Sequence, residues 1–347
     1  MFCKNTMIGA YYSRIVITGS VYNLLFNLLL IPEEELENVL YITCDTIPQT
    51  VRKNINKMIF VPDMHHIGWI RKIRYLLEYR FLGRLLCPAL YKAKVYAQDH
   101  LPYSGYFVGN RRYSFTEDGP NIFKVNENLK YVKDAWASYE RQKCNASWKT
   151  KFINPIQSGI FANNDLCDEI VISKKTSKYI PNYVKGKKIT VLDMQTAWAN
   201  SSERKKQYIL DIFNITSEDI ETLKSRHIVV FTQPFYEDKD VPSLHDHIEV
   251  YKKVISGYNL NDVIIKCHPR ETTNYQRYFP EVRVFNKPVP FQLLDLLGLK
   301  FSEAATVCST AVLSIPYPIK INWVGAKVHP SILAEYGDYT PEELKNQ

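Results

Sequence analysis

The feature that most constrains the fold of this chain is a repeated alternation of short apolar runs with segments of helical periodicity. In the first half the predicted strands are 14–18, 38–44, 57–61, 92–97 and 113–116. Predicted helices fill the intervals, at 21–31, from about 49, at 67–86 and at 127–143. Such β-α-β alternation is typical of a parallel sheet covered by helices on both faces.

A polar stretch at 173–188 interrupts this pattern, and we predict a linker between two blocks near 175–190. A second alternating block follows a predicted helix at 194–213. The strands predicted in the second block are 227–232, 262–267, 282–285 and 305–308, with helices at 243–256 and 290–297. At 347 residues the chain is also too long for one ordinary core. We therefore predict an α/β fold of two Rossmann-like domains facing across a cleft, at 1–185 and 190–330, with a C-terminal helix or tail at 331–347.

Composition narrows the environment and the class of partner. An apolar fraction of 46% and a charged fraction of 23% are typical of a soluble globular protein. The net charge of +8 favours an anionic partner: a nucleotide, a nucleic acid or an acidic membrane surface. The seven cysteines form no CxxC pair, as expected of reduced thiols in a cytoplasm. The first apolar run, 21–31, contains Asn23 and Asn27 and is too short to span a bilayer.

Three polar motifs follow predicted strands directly. They are Glu117-Asp118-Gly119, His268-Pro269 and Ser309-Thr310. In open α/β sheets ligands bind at the carboxyl ends of the strands, and small hydroxyls with free backbone N–H groups suit a phosphate. Each motif taken alone also fits ordinary structure: a turn, a loop histidine bonded to backbone, and a helix N-cap.

The three motifs, in this order, resemble those of the bacterial sialyltransferases: a D/E-D/E-G motif, a downstream HP motif and then a Ser/Thr pair. Two further segments are similar to glycosyltransferase family 52, which includes lipooligosaccharide and capsule sialyltransferases. They are Phe231-Thr232-Gln233-Pro234 and Pro290-Phe291-Gln292-Leu293-Leu294. The resemblance extends from the first strand to about residue 325. It implies a fold of the GT-B type, with CMP bound mainly by the second domain.

The resemblance also implies roles for the residues of the motifs. Glu117 would be the general base that removes the proton of the acceptor hydroxyl, and Asp118 is a neighbour able to take that role. His268 would give a proton or hydrogen bond to the departing CMP. Ser309 and Thr310 would hold its phosphate.

The remaining motif residues are expected to shape the site. Gln233, Pro269 and Gln292 are placed at the nucleotide, and Gly119 is expected to form a turn. Gln292 stands where the family usually has a glutamate that binds ribose. Its neutral carbonyl is a weaker acceptor, so the choice of donor nucleotide stays open.

The function implied is inverting transfer of sialic acid from CMP-Neu5Ac to a galactose-terminated glycan of lipooligosaccharide, capsule or exopolysaccharide, with an α-2,3 linkage. Two alternatives stay open: an α-2,8 (poly)sialyltransferase, and a transferase that uses another nucleotide sugar. A basic nucleic-acid-binding protein is a third, of a different class, but the sequence contains no recognised module for that purpose. We expect no nucleic-acid partner.

Metal and membrane contacts form the last set of predictions. Asp238-Lys239-Asp240 is formally a DxD motif, but its charged surroundings predict a solvated loop. His245 and His247 have a spacing that suits no zinc site, and we expect them at the surface. We expect no metal and no cofactor apart from the donor. The basic amphipathic segment 67–86 fits the inner face of a sheet-covering helix, or a peripheral contact with the inner face of a bacterial plasma membrane, beside a lipid-linked acceptor.

Overall fold

The computed structural model of the protein describes residues 12–61, 70, 73, 92–101, 103–109, 111–120, 122–123, 137, 160–338 and 340. The chain divides into two compact units, Met1–Ile209 and Leu210–Gln347. Each unit contains its own parallel sheet. The predicted α/β class is therefore confirmed. The cleft between the domains stays a prediction.

The sheet of the first unit has seven strands among the described residues, in the order β3-β2-β1-β4-β5-β6-β7. The strands are β1 Arg14–Ile17, β2 Val39–Thr43, β3 Met58–Phe60, β4 Lys94–Ala97, β5 Tyr113–Thr116, β6 Cys167–Ser173 and β7 Lys188–Leu192. All neighbours are parallel. The order reverses between β1 and β4, as in Rossmann folds, where this point is the usual position of the ligand.

Helices and the hydrophobic core complete the first unit. Its helices are α1 Val21–Leu30, α2 Gln49–Arg52, α3 Ser104–Val108, α4 Met194–Ala199 and the start of α5 Glu203–Phe213. Every residue of α1 from Tyr22 to Leu29 is buried, which explains why its sequence is apolar on all sides. The side chain of Ser20 caps the helix by accepting the backbone N–H of Asn23.

The second unit repeats the topology with five strands, ordered β10-β9-β8-β11-β12. The strands are β8 Ile228–Phe231, β9 Val263–Lys266, β10 Arg283–Phe285, β11 Glu303–Thr306 and β12 Lys320–Trp323. The helices are α6 Ser217–Lys224, α7 Leu244–Ile255, α8 Phe291–Leu296 and α9 Pro330–Tyr336. Buried residues of β8, β9, β11, α7 and α9 form one apolar core. The order again reverses beside its first strand, between β8 and β11.

The division of the chain differs from the predicted one. The polar stretch at 173–188, predicted as a linker, connects β6 to β7 inside the first sheet, where Glu169 is paired with Lys188. The two units divide after residue 209 instead. The C-terminal segment, predicted as a helix or tail, contains the helix α9, and Ile332 of this helix packs into the core of the second unit. Strands β6, β7 and β12 were not predicted.

Two predicted helices, 67–86 and 127–143, lie outside the described residues apart from 70, 73 and 137. Within the described ranges, no helix is long and apolar enough to cross a membrane. The cysteines described as free thiols are all buried: Cys44, Cys167, Cys267 and Cys308.

Candidate active site

The acidic motif of the first unit lies immediately after β5, at the carboxyl edge of the sheet. Asn23 of α1 fixes this turn, because its side-chain amide donates to the backbone carbonyl of Glu117 at 2.7 Å and to the hydroxyl of Thr116 at 3.0 Å. Asn23 is itself fully buried. A polar residue inside an apolar helix therefore has a clear purpose: it ties α1 to the end of β5.

The two acids of the motif lie in opposite environments. Glu117 is fully buried, and its carboxylate accepts a hydrogen bond from the hydroxyl of Tyr22. Asp118 has a side chain that is 39% exposed. Both neighbours carry a carboxylate, but of the two acids only Asp118 has a side chain that a substrate can reach.

Electrostatics separates the two acids further. Burial raises the pKa of Glu117, although hydrogen bonds from Thr176, Tyr22 and Ser173 act in the opposite direction. Burial also acts to raise the pKa of Asp118, but its interactions with His100, Ser20 and Gln98 outweigh that effect and leave this pKa below its ordinary value. Asp118 is consequently ionised at neutral pH.

The partners of Asp118 come from the ends of neighbouring strands. Gln98, which follows β4, donates its side-chain amide to Asp118, and the carbonyl oxygen of the same amide accepts the backbone N–H of Gly19, which follows β1. The Nε2 atom of His100 lies 3.6 Å from the carboxylate of Asp118. A Cβ atom added at Gly19 would lie 2.7 Å from Cδ2 of Leu101, so a larger residue there would displace the Leu101 side chain. The site thus lies beside the point where the strand order reverses.

Gly119 lies in the bend that follows β5, and its role in forming that turn stays a prediction. Its backbone is not in the left-handed region, and a Cβ atom added there would meet no atom within 4 Å in the described part of the chain. The space beside the exposed carboxylate of Asp118 is therefore open on this side.

In the second unit, His268 follows β9 at the carboxyl edge of the sheet, after Cys267. The backbone N–H of Arg270 donates to Nδ1 of His268 at 3.2 Å. Since Nδ1 accepts, the proton of the neutral ring is on Nε2. Burial, together with the charges of Arg270 and Lys266, lowers the pKa of His268 to about 4. At neutral pH the imidazole is thus a hydrogen-bond donor through Nε2 and not a cation.

The other predicted nucleotide residues lie at the same edge of the second sheet. The side-chain carbonyl of Gln233 accepts the backbone N–H of Cys308 at 3.0 Å, which joins the ends of β8 and β11. Ser309 caps the short 3-10 helix Thr310–Ser314. Phe291 packs on Phe231 at the end of β8, with ring centroids 5.3 Å apart, and this contact places the adjacent Gln292. The side chain of Thr310 lies outside what the structure describes.

The DxD motif is held by hydrogen bonds. Arg270 forms a bidentate ion pair with Asp238, with N–O distances of 2.6 and 2.8 Å. The carboxylate of Asp240 accepts the hydroxyl of Tyr336 at 2.6 Å. Both acids therefore have protein partners.

The prediction that His247 lies at the surface is wrong, because its side chain is fully buried. Among the described residues it forms one group with Glu237 and Glu271 that is chemically able to hold a cation. The hydroxyl of Tyr275, however, lies 2.6 Å from Nε2 of His247 and donates to Glu271 at 2.7 Å. Nε2 of His247 and Oε1 of Glu271 are thus used in hydrogen bonds within the protein, whereas Nδ1 of His247 and Oε2 of Glu237 have no hydrogen-bond partner among the described residues.

The sequence of the chain matches that of a known protein family. The sequence model described as Glycosyltransferase family 52 matches residues 71–331, which is well over half of the chain. The chain belongs to glycosyltransferase family 52. It is 31% identical over 270 residues to an uncharacterized protein of Haemophilus influenzae, covering 78% of this chain and 80% of that protein. The predicted class, a glycosyltransferase, is confirmed.

Solved structures support the fold of this glycosyltransferase. The GT-B domain of a sialyltransferase from Photobacterium damselae is similar, with 15% identity, a TM-score of 0.51 and coverage of 90% of this chain and 89% of that chain. A 2,6-sialyltransferase from Photobacterium sp., solved with CMP and lactose, has 10% identity and a TM-score of 0.52, covering 89% and 70%. The predicted GT-B type of fold is confirmed.

The motifs pointed to some residues of this candidate site and missed others. In the first unit they identified Glu117 and Asp118, and in the second they identified His268, Gln233, Gln292 and Ser309. They missed Gln98 and His100, which contact Asp118, and Glu271, which contacts the backbone of His268. Their position directly after a strand, or three residues after His268, is the only signal the sequence carried for them.

Proposed function

We propose that this glycosyltransferase transfers sialic acid from CMP-sialic acid to a hydroxyl of a galactose-terminated glycan. Membership of family 52 supports the proposal, together with the ordered acidic, His-Pro and Ser/Thr motifs. A protein of similar fold was solved with CMP and lactose, which are a nucleotide product and a galactose-terminated acceptor. The observation that carries most weight is an exposed, ionised carboxylate at the carboxyl edge of one sheet and a neutral His-Pro histidine at that of the other.

In this proposal Asp118, and not Glu117, is the general base. A base must reach the acceptor hydroxyl and must be ionised at the working pH. Asp118 is partly exposed with a lowered pKa, whereas Glu117 is fully buried with a raised pKa. Glu117 then supports the turn through its contact with Tyr22.

In this proposal the transfer of sialic acid is a single displacement. Asp118 takes the proton of the acceptor hydroxyl, whose oxygen forms a bond to the anomeric carbon of sialic acid. The bond from that carbon to the phosphate oxygen breaks, and its electron pair leaves with CMP. Attack opposite the leaving group inverts the centre, so that a β-linked donor gives an α-linked product.

His268 and Ser309 act on the leaving phosphate. The Nε2–H of His268 donates a hydrogen bond to a phosphate oxygen, which stabilises the charge that develops there. Binding of that anion would also raise the pKa of the imidazole and make proton donation easier. Ser309, at the start of the 3-10 helix, supplies its hydroxyl proton for the phosphate, while its own backbone N–H donates to Thr306.

The finer details of the reaction are part of the same proposal. We assign an α-2,3 linkage, a lipooligosaccharide, capsule or exopolysaccharide acceptor, and a peripheral position at the inner face of the bacterial plasma membrane. Formation of α-2,8 chains and use of another nucleotide sugar are the alternatives. Gln292 keeps the second of these open, because an amide binds ribose hydroxyls less strongly than a carboxylate does.

An assay of CMP release, with CMP-sialic acid as donor and lactose as acceptor, tests the function. We expect turnover that nearly disappears in Asp118→Asn and in His268→Ala. Linkage analysis of the product by NMR separates 2,3 from 2,6 and 2,8. Turnover with UDP- or GDP-sugars but none with CMP-sialic acid would overturn the proposed donor.

A further inference from the structure

A buried carboxylate lies directly beneath the His-Pro turn. The side chain of Glu271 is 0% exposed. Its Oε2 atom accepts the backbone N–H of His268 at 2.6 Å and also accepts the hydroxyl of Thr232. Thr232 follows β8 and His268 follows β9, so one carboxylate joins the ends of two adjacent strands at the edge where the nucleotide is proposed to bind.

The other oxygen of Glu271 is held just as firmly. Its Oε1 atom accepts the hydroxyl of Tyr275 at 2.7 Å, and that hydroxyl lies 2.6 Å from Nε2 of the buried His247. The rings of His247, Tyr251 and Tyr275 pack against one another at centroid distances of 5.1 to 5.7 Å. Glu271 therefore cannot shift without disturbing an aromatic cluster.

A second acid fastens the segment that follows. Glu237, in the turn after β8, accepts the backbone N–H groups of Thr272 and Thr273 at 2.7 and 3.2 Å. Together with Glu271 it fixes the loop on both sides of Arg270. The backbone of the His268 loop is thus held by two carboxylates, one in the loop itself and one in the turn after β8.

Burial of this carboxylate is costly, and stability alone gives no reason for it. Burial raises the pKa of Glu271 to about 7, against the opposing effect of hydrogen bonds from Thr232, Tyr275 and His268. Replacing a whole buried polar network by apolar side chains of similar volume is often neutral or stabilising. A group that costs free energy and contacts the backbone of a reacting residue is better explained by positioning.

We propose that Glu271 is a positioning residue for glycosyl transfer, which holds the His268 imidazole at the phosphate by binding its backbone N–H and the hydroxyl of Thr232. The inference rests on the proposed role of His268. It deepens that role by naming the group that determines where the imidazole points. Glu271 itself contacts neither substrate nor reacting atoms.

The test compares Glu271→Met with Glu271→Gln, measuring kcat for CMP release. Methionine fills the space but accepts no hydrogen bond, and we expect kcat to fall by about 10²-fold, the effect of a misplaced reacting group. Glutamine still offers a carbonyl to His268 while its amide donates to Tyr275, and we expect at least a tenth of the wild-type kcat. Glu303→Met is the matched control, because Glu303 also accepts a tyrosine hydroxyl but lies at the start of β11. It should keep the wild-type kcat.

A double-mutant cycle distinguishes positioning from stability. In a His268→Ala background, we expect Glu271→Met to cause no further loss of kcat, since no imidazole remains to be held. An equal loss in both backgrounds would overturn the proposal, as would a wild-type kcat in Glu271→Met or an equally inactive Glu271→Gln. If Glu271→Met does not fold, Thr232→Val replaces it in the same cycle, and an unchanged kcat there is equally decisive. Full activity of His268→Ala alone would instead refute the proposed role of the histidine.

Discussion

At the scale of single residues, the main question is which acid of the motif takes the proton. We expect Asp118→Asn to lower kcat by about 10²–10⁴-fold, the usual contribution of a general base, with little change in melting temperature. Glu117→Gln is the matched control on the same turn. Because Glu117 is buried against Tyr22, we expect Glu117→Gln to lower the melting temperature more than Asp118→Asn does, and to lower kcat less than Asp118→Asn does. A larger loss of kcat in Glu117→Gln would make Glu117 the base.

His268 permits a second test at this scale, since its two nitrogens have different partners. Nδ1 accepts the backbone N–H of Arg270, so Nε2 is the atom that donates. A glutamine amide reaches about as far as Nε2 and an asparagine amide only as far as Nδ1. We expect His268→Gln to keep roughly ten times the kcat of His268→Asn. Equal losses in steady-state assays would mean that the donor position does not matter.

The residues that sequence could and could not identify follow from this geometry. Asp118 and His268 belong to short motifs, so their types and spacing indicated them. Exposure separates Glu117 from Asp118, and it depends on Asn23 of α1, which is distant in sequence. Gln98 and His100 follow a strand without any motif, and only the pairing of β4 with β5 brings them to the acid. Chain spacing contains no information on such contacts.

At the scale of elements, β6 shows why a strand was missed. Its second and third residues are Asp168 and Glu169, which lower its strand propensity. In the fold, however, Glu169 is 10% exposed and accepts hydrogen bonds from Ser114 of β5 and Thr190 of β7, at 2.6 and 2.8 Å. Lys94 and Lys188 add ion pairs at 3.0 and 2.8 Å. Partners from three other strands compensate for the buried charge.

The buried carboxylate of Glu169 should therefore make the free energy of unfolding depend on pH. Burial acts to raise the pKa of Glu169, but hydrogen bonds from Lys188, Ser114, Lys94 and Thr190 outweigh it and hold the pKa well below its ordinary value. The stabilisation is present above about pH 4.5 and is lost as the pH falls towards the folded-state pKa. We expect Glu169→Gln to lower the free energy of unfolding by about 1–3 kcal/mol at pH 7.

Denaturant unfolding of both proteins at several pH values measures this effect. The difference between wild type and Glu169→Gln should shrink between pH 5 and pH 3, because the wild type alone loses the contribution. Asp168→Asn is the control, since its carboxylate is 48% exposed and lies 3.5 Å from Arg112. A difference that stays constant with pH would contradict the assignment.

At the scale of the whole molecule, two sheets share one strand order and each ends in a polar site at its carboxyl edge. The alternation of strands and helices was enough to predict that each half forms a parallel sheet, but it did not predict β6, β7 or β12. The boundary was not predictable in the same way, because a polar stretch can join two domains or two strands of one sheet. Composition describes the exposure of such a stretch and contains nothing about the pairing of β6 with β7.

Whether turnover of the whole enzyme requires a divalent metal ion can be tested at the DxD motif, Asp238 to Asp240. The carboxylates of Asp238 and Asp240 already bind Arg270 and Tyr336. We expect kcat in excess EDTA to equal kcat in Mg²⁺ or Mn²⁺, and Asp240→Asn to change it by less than about threefold, as for a surface substitution away from the site. Loss of turnover in EDTA that is restored by a divalent ion would give these acids a catalytic role.

We predict that the second unit binds CMP and that the first unit supplies the carboxylate that removes the proton. Ligand that binds only the native state stabilises it by about 2.7 kcal/mol at 100 times its Kd, so CMP should raise the melting temperature by several degrees. His268→Ala and Ser309→Ala should reduce this shift, because both residues are proposed to contact the phosphate. Asp118→Asn should keep the full shift while losing kcat, because its carboxylate acts on the acceptor. A shift lost in Asp118→Asn and retained in His268→Ala would assign CMP to the first unit, and the roles of the two sheets would then be exchanged.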